Sequence, residues 1–243
     1  MLDKYTRIIN MILLLLLIII SADCFTYSRP FRETVLTYFY MEKGVYPDSV
    51  NLEQLVQEEA KRVALTFDDG PSPIYTEQLL DGLKERGVRA TFFVIGEKVE
   101  GNEHIIIRMV EEGHVIGNHT YSHVQLSTVD YETGLEEIEK TNQAIFDACG
   151  ITPKYVRPPF GSWNDKMTMD VNMTEVLWSV DPLDWQTKDA GLVTRKAIRC
   201  VEDGSIILLH DIYESSVEAA LEIVDELEAQ GYEFVTIDEM LID

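Results

Sequence analysis

Leu65-Thr66-Phe67-Asp68-Asp69-Gly70-Pro71 sets the reading of this chain. An apolar, β-branched run over 63–67 ends in two adjacent carboxylates and then in Gly-Pro, the pattern of a strand delivering Asp68 and Asp69 to a turn. Side chains alternate along a strand, but at its end the next residue can be redirected, so neighbouring carboxylates can take different roles around one centre. Two acids that close repel each other unless a cation sits between them or their pKa values are split. Asp-Asp-Gly alone is ordinary turn chemistry. The weight therefore falls on what lies downstream.

Beyond this stretch, strand-like and helix-like segments alternate. Strands are predicted at 63–67, 90–94, 115–118, 155–157, 177–180, 205–209 and 233–235, and helices at 75–86, 104–112, 129–149, 164–171, 189–201 and 216–230. Ser127-Thr128-Val129-Asp130 has the look of a capping box ahead of the third helix. Strand–helix alternation means βαβ units and a parallel sheet. Seven strands is one short of the eightfold barrel, so the expected fold is α/β: a distorted, incomplete (β/α) barrel with its active site at the C-terminal strand ends.

The polar clusters fall at those ends. Asp68-Asp69 follows the first strand, His119 and His123 the third, Arg157 ends the fourth, Asp181 and Asp184 follow the fifth, and His210-Asp211 the sixth. Five clusters thus converge on one rim. His119 and His123, four residues apart, share a face on a helical turn, and with Asp69 they make a two-His, one-carboxylate set that leaves positions open for water and substrate. One divalent ion is expected there. Zinc is the first choice, and Co2+, Mn2+, Ni2+ or Fe2+ suit the same ligands. His114, at a strand start, and His104, at a helix start, read as structural. Asp181 reads as loop support and Asp211 as a helix cap.

The chain has 243 residues, with 20 basic against 43 acidic and a net charge of −23. Nucleic acid is excluded as a partner, because phosphate binding needs clustered Lys and Arg. The ten acidic residues and no Lys or Arg over 214–243 read as solvated helix faces. Lys4 and Arg7 precede an apolar run over 8–22, so residues 1–24 read as a signal peptide or signal-anchor, a membrane tether if uncleaved, with the main domain outside the cytoplasm. Residues 25–60 read as a connecting segment and 61–243 as the catalytic domain. Cys24, Cys149 and Cys200 make no disulfide framework. A Cys149–Cys200 bridge has no support, and buried thiols are expected. No protein partner is inferred.

Thr66-Phe67-Asp68-Asp69-Gly70-Pro71, His119-Thr120-Tyr121-Ser122-His123, Arg157-Pro158-Pro159-Phe160, Asp181-Pro182-Leu183-Asp184-Trp185 and Leu208-Leu209-His210 resemble, in order, the five motifs of the NodB-homology polysaccharide deacetylases, carbohydrate esterase family four. The resemblance runs from about residue 62 to 236. It implies that Asp69, His119 and His123 bind the metal and that Asp68 is the general base, paired with Arg157. It also implies that His210 is the general acid oriented by Asp184, that the backbone N–H of Phe160 faces the oxyanion, and that Trp185 and Leu208 line a pocket for the acetyl methyl group. The family uses Tyr or Phe at the third-motif position, and a backbone donor is indifferent to which.

The activity so implied is removal of N-acetyl groups from an extracytoplasmic polysaccharide. The export signal favours peptidoglycan N-acetylglucosamine, with chitin-type oligomers next. The alternatives are an acetylxylan or other polysaccharide O-acetyl esterase, using the same machinery on an ester, and an inactive surface carbohydrate-binding protein.

Overall fold

The structure is a computed structural model that describes residues 60–163 and 171–242. Seven strands form one sheet with helices packed on it: β1 (Lys61–Gly70), α1 (Tyr75–Arg86), β2 (Thr91–Val94), α2 (Glu103–Glu111), β3 (Val115–Asn118), α3 (Tyr131–Cys149), β4 (Tyr155–Val156), β5 (Thr174–Glu175), α4 (Ala190–Cys200), β6 (Ser205–His210), α5 (Glu214–Ala229), β7 (Tyr232–Val235) and α6 (Ile237–Ile242). The strand order is β5-β4-β3-β2-β1-β6, with β7 also paired to β1. Every pairing among these strands is parallel.

β1 is the longest strand and the hub. One edge aligns Val63–Asp68 with Ser205–His210 of β6. The other takes β7 along Lys61–Ala64 and β2 along Thr66–Gly70. Alternation sorts its side chains. Val63, Leu65 and Phe67 enter the main core with Leu79, Leu83, Ile105, Ile223 and Leu227 from the covering helices. Ala64 lies with Phe93 and Ile237 in a second cluster. Thr66 and Asp68 share Ala64's parity, so the strand turns them to that inner face. Among the described residues the sheet is open: beyond β5 the chain returns to β6 through an isolated bridge between Val180 and Ile207. This is the distorted, incomplete (β/α) barrel that the alternation predicts.

Four details differ from expectation. The strand predicted at 177–180 shrinks to that bridge, and the fifth strand is instead the exposed pair Thr174–Glu175 beside β4. Two exposed polar residues carry no apolar signal, which is why sequence reading passes over them. Residues Leu126–Thr128 form a 3₁₀ turn, and the cap of α3 is Asp130, whose side chain accepts from Thr133 N at 2.9 Å. Cys149 and Cys200 end α3 and α4 as free thiols, the first partly exposed and the second exposed, so neither is buried as expected. β1 runs on through the two aspartates to Gly70.

The predicted leader at 1–24, most of the connecting segment at 25–60 and the helix predicted at 164–171, apart from Val171, lie outside the described residues, as does Cys24. Among the described residues no helix is long and apolar enough to cross a membrane.

Candidate active site

Two adjacent carboxylates meet different partners here because of a bulge. β1 and β2 stay in register to Asp68↔Phe93 and resume at Gly70↔Val94, so Asp69 is an inserted residue, held at φ 72°. A bulge re-aims one side chain without ending the strand. Asp68 keeps the inner face, buried, where its Oδ1 accepts from Arg157 Nη1 at 2.8 Å. Asp69 turns aside and presents Oδ1 to two imidazoles, 3.4 Å from His119 Nε2 and 3.2 Å from His123 Nε2. Lys98 Nζ holds the Asp69 peptide by donating to its carbonyl at 2.8 Å. Next to it, Gly70 lies so close to the buried Asp211 carboxylate that no Cβ fits between them.

Arg157 follows β4 and is fully buried, which is tolerable only because its donors are used. Nε donates to Val176 O at 3.0 Å, Nη2 to Leu177 O at 3.2 Å, and Nη1 to both Asp68 and Thr66 Oγ1 at 2.8 Å. The guanidinium lies 4.1 Å from the Phe93 ring centroid. Burial lowers its pKa while the Asp68 charge opposes that shift.

His119 leaves β3 with its Nδ1 2.7 Å from Arg157 O. A carbonyl oxygen only accepts, so Nδ1 carries a hydrogen and Nε2 is the ring nitrogen turned toward the space shared with Asp69 and His123. Thr120 and His123 hold φ of 63° and 59°, bending the intervening loop back on itself, and Asn118 Oδ1 accepts from Thr120 N at 2.8 Å. The three donor atoms of Asp69, His119 and His123 lie within 4.8 Å of one another.

These residues fit a metal ion. Ligand atoms placed tetrahedrally around a zinc-sized ion at roughly 2.1 Å stand about 3.4 Å apart, close to the separations seen from Asp69 Oδ1. Asp69 Oδ1 is buried yet has no hydrogen-bond partner, as a metal-facing oxygen would be. Burial by itself raises the Asp69 carboxyl, but the imidazoles of His119 and His123 and the charge of His210 outweigh it, so Asp69 ionises well below the ordinary range. The His119 Nδ1 bond to a backbone carbonyl is the outer-layer contact that fixes a ligating imidazole.

The opposite side is built from β6 and the loop before α4. His210 is the register partner of Asp68 on the neighbouring strand. Asp184, fully buried, accepts four hydrogen bonds: Oδ1 from Trp185 N at 2.9 Å and from the His210 ring at 2.8 Å, Oδ2 from His210 N at 2.8 Å and Ser216 Oγ at 2.7 Å. Burial alone would lower the His210 pKa. The Asp184 hydrogen bond and charge, joined by Asp68 and Asp69, overcome it and push His210 up to about 9.

Strain gathers in the same place. Among the described residues, the non-glycine positions at left-handed φ are Asp69, Thr120, His123, Phe160 and Leu183, every one inside a motif singled out from the sequence. Such conformations persist only where the surroundings enforce them, and they cluster at active sites.

The structure therefore links Asp68, Asp69, His119, His123, Arg157, Asp184 and His210 in one run of contacts. Phe160, 69% exposed, sets its ring edge-on to His123 at 5.1 Å. Trp185, half exposed, and Leu208, buried, join through backbone: Trp185 N on Asp184, and Leu208 N on Val180 O at 2.9 Å. Asp181 supports its loop by accepting from Leu183 N at 2.8 Å. His104 sits in the first turn of α2, paired with Glu77 at 3.0 Å. Buried His114 accepts from Ala90 N at 3.0 Å, and burial pushes its pKa down to about 4. Asp211 is not the helix cap expected of it; it is buried against Thr76 Oγ1, and burial raises its carboxyl to about 7. Sequence reading missed Thr66, Lys98 and Ser216 as partners of the site. A lone Ser, Thr or Lys inside a strand, turn or helix carries no signal until the fold brings it to the site.

A family model described as polysaccharide deacetylase matches residues 56–176. The chain is 40% identical over 201 residues to the peptidoglycan-N-acetylglucosamine deacetylase PgdA of Listeria monocytogenes, covering 82% of this chain and 43% of that protein. It is 40% identical over 192 residues to the peptidoglycan-N-acetylmuramic acid deacetylase PdaC of Bacillus subtilis, covering 79% of this chain and 41% of that protein. This chain thus spans about two fifths of the length of these relatives. The solved structure of PdaC superposes with a TM-score of 0.74 over 76% of this chain and 92% of the solved one. An acetyl xylan esterase of Clostridium thermocellum, solved with a cobalt ion, superposes with a TM-score of 0.71 at 38% identity, over 75% and 91%. Motifs, barrel and relatives agree, and the chain belongs to the NodB-homology polysaccharide deacetylases of carbohydrate esterase family four.

Proposed function

We propose that this protein is a metal-dependent hydrolase that removes N-acetyl groups from an extracytoplasmic polysaccharide, with peptidoglycan N-acetylglucosamine as its substrate. The observation that carries the reading is the placement of two differently partnered groups beside one candidate metal cup: Asp68, held by buried Arg157, and His210, held by buried Asp184, are register partners on adjacent strands. A carboxylate paired with a cation suits the part of base, and an imidazole paired with a carboxylate suits the part of acid.

Asp69, His119 and His123 would hold the ion, zinc or another divalent metal of similar preference. When bound, it would polarise the acetyl carbonyl and acidify a water molecule. Asp68 would take the proton of the attacking water, held and oriented by its hydrogen bond from Arg157. His210, protonated at neutral pH through Asp184, would deliver a proton to the departing sugar nitrogen. The backbone N–H of Phe160 would face the oxyanion, while Trp185 and Leu208 would border the acetyl methyl group.

The apolar run behind Lys4 and Arg7 supports action outside the cytoplasm, with the segment either cleaved or kept as a tether. The named relatives divide over which peptidoglycan sugar they act on. A second reading, an O-acetyl esterase, draws on the structural likeness to the acetyl xylan esterase.

The test is acetate release by the full chain, stripped of metal and then reloaded with zinc. Peptidoglycan, N-acetylglucosamine oligomers and acetylated xylan would be assayed side by side. Zinc-dependent acetate from peptidoglycan, traced by mass spectrometry to glucosamine, is the expected result. Acetate from xylan alone would establish the esterase, and glycan binding without metal or acetate would establish an inactive scaffold.

A further inference from the structure

The loop between the two candidate histidine ligands cannot hold its shape by local preference. Thr120 and His123 both sit at left-handed φ, which is costly for residues with a Cβ, and Tyr121 and Ser122 bridge them outside any helix or strand. Its carbonyls are taken by the turn after β2: Gly96 N donates to Thr120 O and Glu97 N to Tyr121 O, each at 3.0 Å. Beyond Thr120, whose N–H is taken by Asn118 Oδ1, its donors meet one side chain. Glu137, on the second turn of α3, accepts from Tyr121 N at 2.9 Å and Ser122 N at 2.7 Å through Oε2, and from Ser122 Oγ at 2.9 Å through Oε1.

We propose that Glu137 is a positioning residue for the metal site: its carboxylate clamps the Tyr121–Ser122 peptides and so fixes the separation and aim of His119 and His123. This rests on the reading of Asp69, His119 and His123 as metal ligands. Hydrogen bonds to a carboxylate are stronger than neutral ones, and three to one group define both position and rotation of the loop. Glu137 touches neither imidazole. It acts through the backbone that joins them.

The test is metal affinity of the full chain, measured for Zn2+ and Co2+ by competition with a chromophoric chelator, together with the Co2+ visible spectrum and the melting temperature of the metal-free protein. Loss of an outer-layer partner typically weakens metal binding by roughly 10- to 100-fold. Glu137→Ala should weaken both metals by about that factor and alter the Co2+ band. Glu137→Gln should stay within about threefold of wild type, because its carbonyl can accept both N–H groups and its amide can donate to Ser122 Oγ. Wild-type affinity in Glu137→Ala overturns the proposal, and equal losses in Ala and Gln replace it with a purely electrostatic role. Should Glu137→Ala fail to fold, Glu137→Asp decides. It keeps the charge but withdraws the carboxylate by one methylene, and an undiminished affinity there overturns the proposal. A wild-type chain that binds no metal overturns the metal-site reading beneath it.

Discussion

Arg157 and Asp68 form an ion pair at 2.8 Å between side chains that are 0% and 4% exposed. Asp68 lies on β1 and Arg157 directly follows β4, with β2 and β3 between those strands, so the pair spans the inner face of the sheet. Two charges leave water at such a site only if each is paired and its remaining hydrogen-bonding capacity is used. Arg157 satisfies that with two carbonyls, Thr66 and Asp68, and Thr66 in turn donates to Ile207 O at 2.6 Å. The pair thus ties β1, β4, β6 and the segment after β5 together at the level where the chemistry is expected.

Removing only the cation should therefore cost more than removing both charges. Arg157→Met strands Asp68 as a buried unpaired charge and should destabilise the fold by about 3–5 kcal/mol in urea unfolding. Combining it with Asp68→Leu should recover part of that loss. A double variant no more stable than Arg157→Met would show that the pair's value is packing, not charge.

Asp68 and Asp69 are neighbours with different partners, and two variants test the separate roles proposed for them. Asp68→Asn leaves the Asp69–His119–His123 cup whole, so bound metal should match wild type while kcat falls by roughly 10²–10⁴-fold. His123→Ala removes one candidate ligand and should lose metal and activity together. Inductively coupled plasma measurement of bound zinc beside acetate release checks both. Near-normal turnover in Asp68→Asn would remove it as the base.

How much of this was legible in the sequence follows from what kind of contact each feature needs. The strands β1, β3, β4 and β6 carry apolar runs that lead into Asp, His or Arg, and they announced both the barrel and its rim. What stayed illegible is long-range. Nothing near Glu137 or Ser216 says that one meets a loop 15 residues back and the other a carboxylate 32 residues away. β5 is two exposed polar residues recruited by β4, a tertiary override of weak propensity. The assignment of Asp68 and Asp69 to different roles was readable as a need, but the bulge that accomplishes it was not.

Gly70 is required by close approach, not by its φ. A Cβ there would collide with the Asp211 carboxylate, itself boxed in by Thr76 and unable to retreat into solvent. Gly70→Ala should cost about 1–3 kcal/mol as an overpacked site. Because Asp69 precedes it, metal affinity should fall as well. Calorimetry and zinc competition on the purified variant measure the two effects. Unchanged stability would mean that Asp211 can move, contrary to its burial.

His210 supplies the pH dependence. Its pKa is raised from about 6.5 to about 9 by Asp184, with help from Asp68 and Asp69 and against the opposing effect of burial. A group raised on folding contributes stability that is fully present below its unfolded value and is lost as pH rises through the folded one. Stability of the metal-free protein should therefore decline between pH 6.5 and 9 through this residue. Activity should fall over the alkaline range as the acid loses its proton. A bound divalent cation offsets the Asp68 and Asp69 charges, so the alkaline limb of the loaded protein should lie below the metal-free titration. Asp184→Asn removes the dominant support and should move both the limb and the stability transition acidward by at least about one pH unit. Profiles of kcat/KM and of the urea midpoint from pH 6 to pH 10 would be compared between wild type and variant. A limb that stays in place in Asp184→Asn would assign it to some other group and leave His210 without its role as acid.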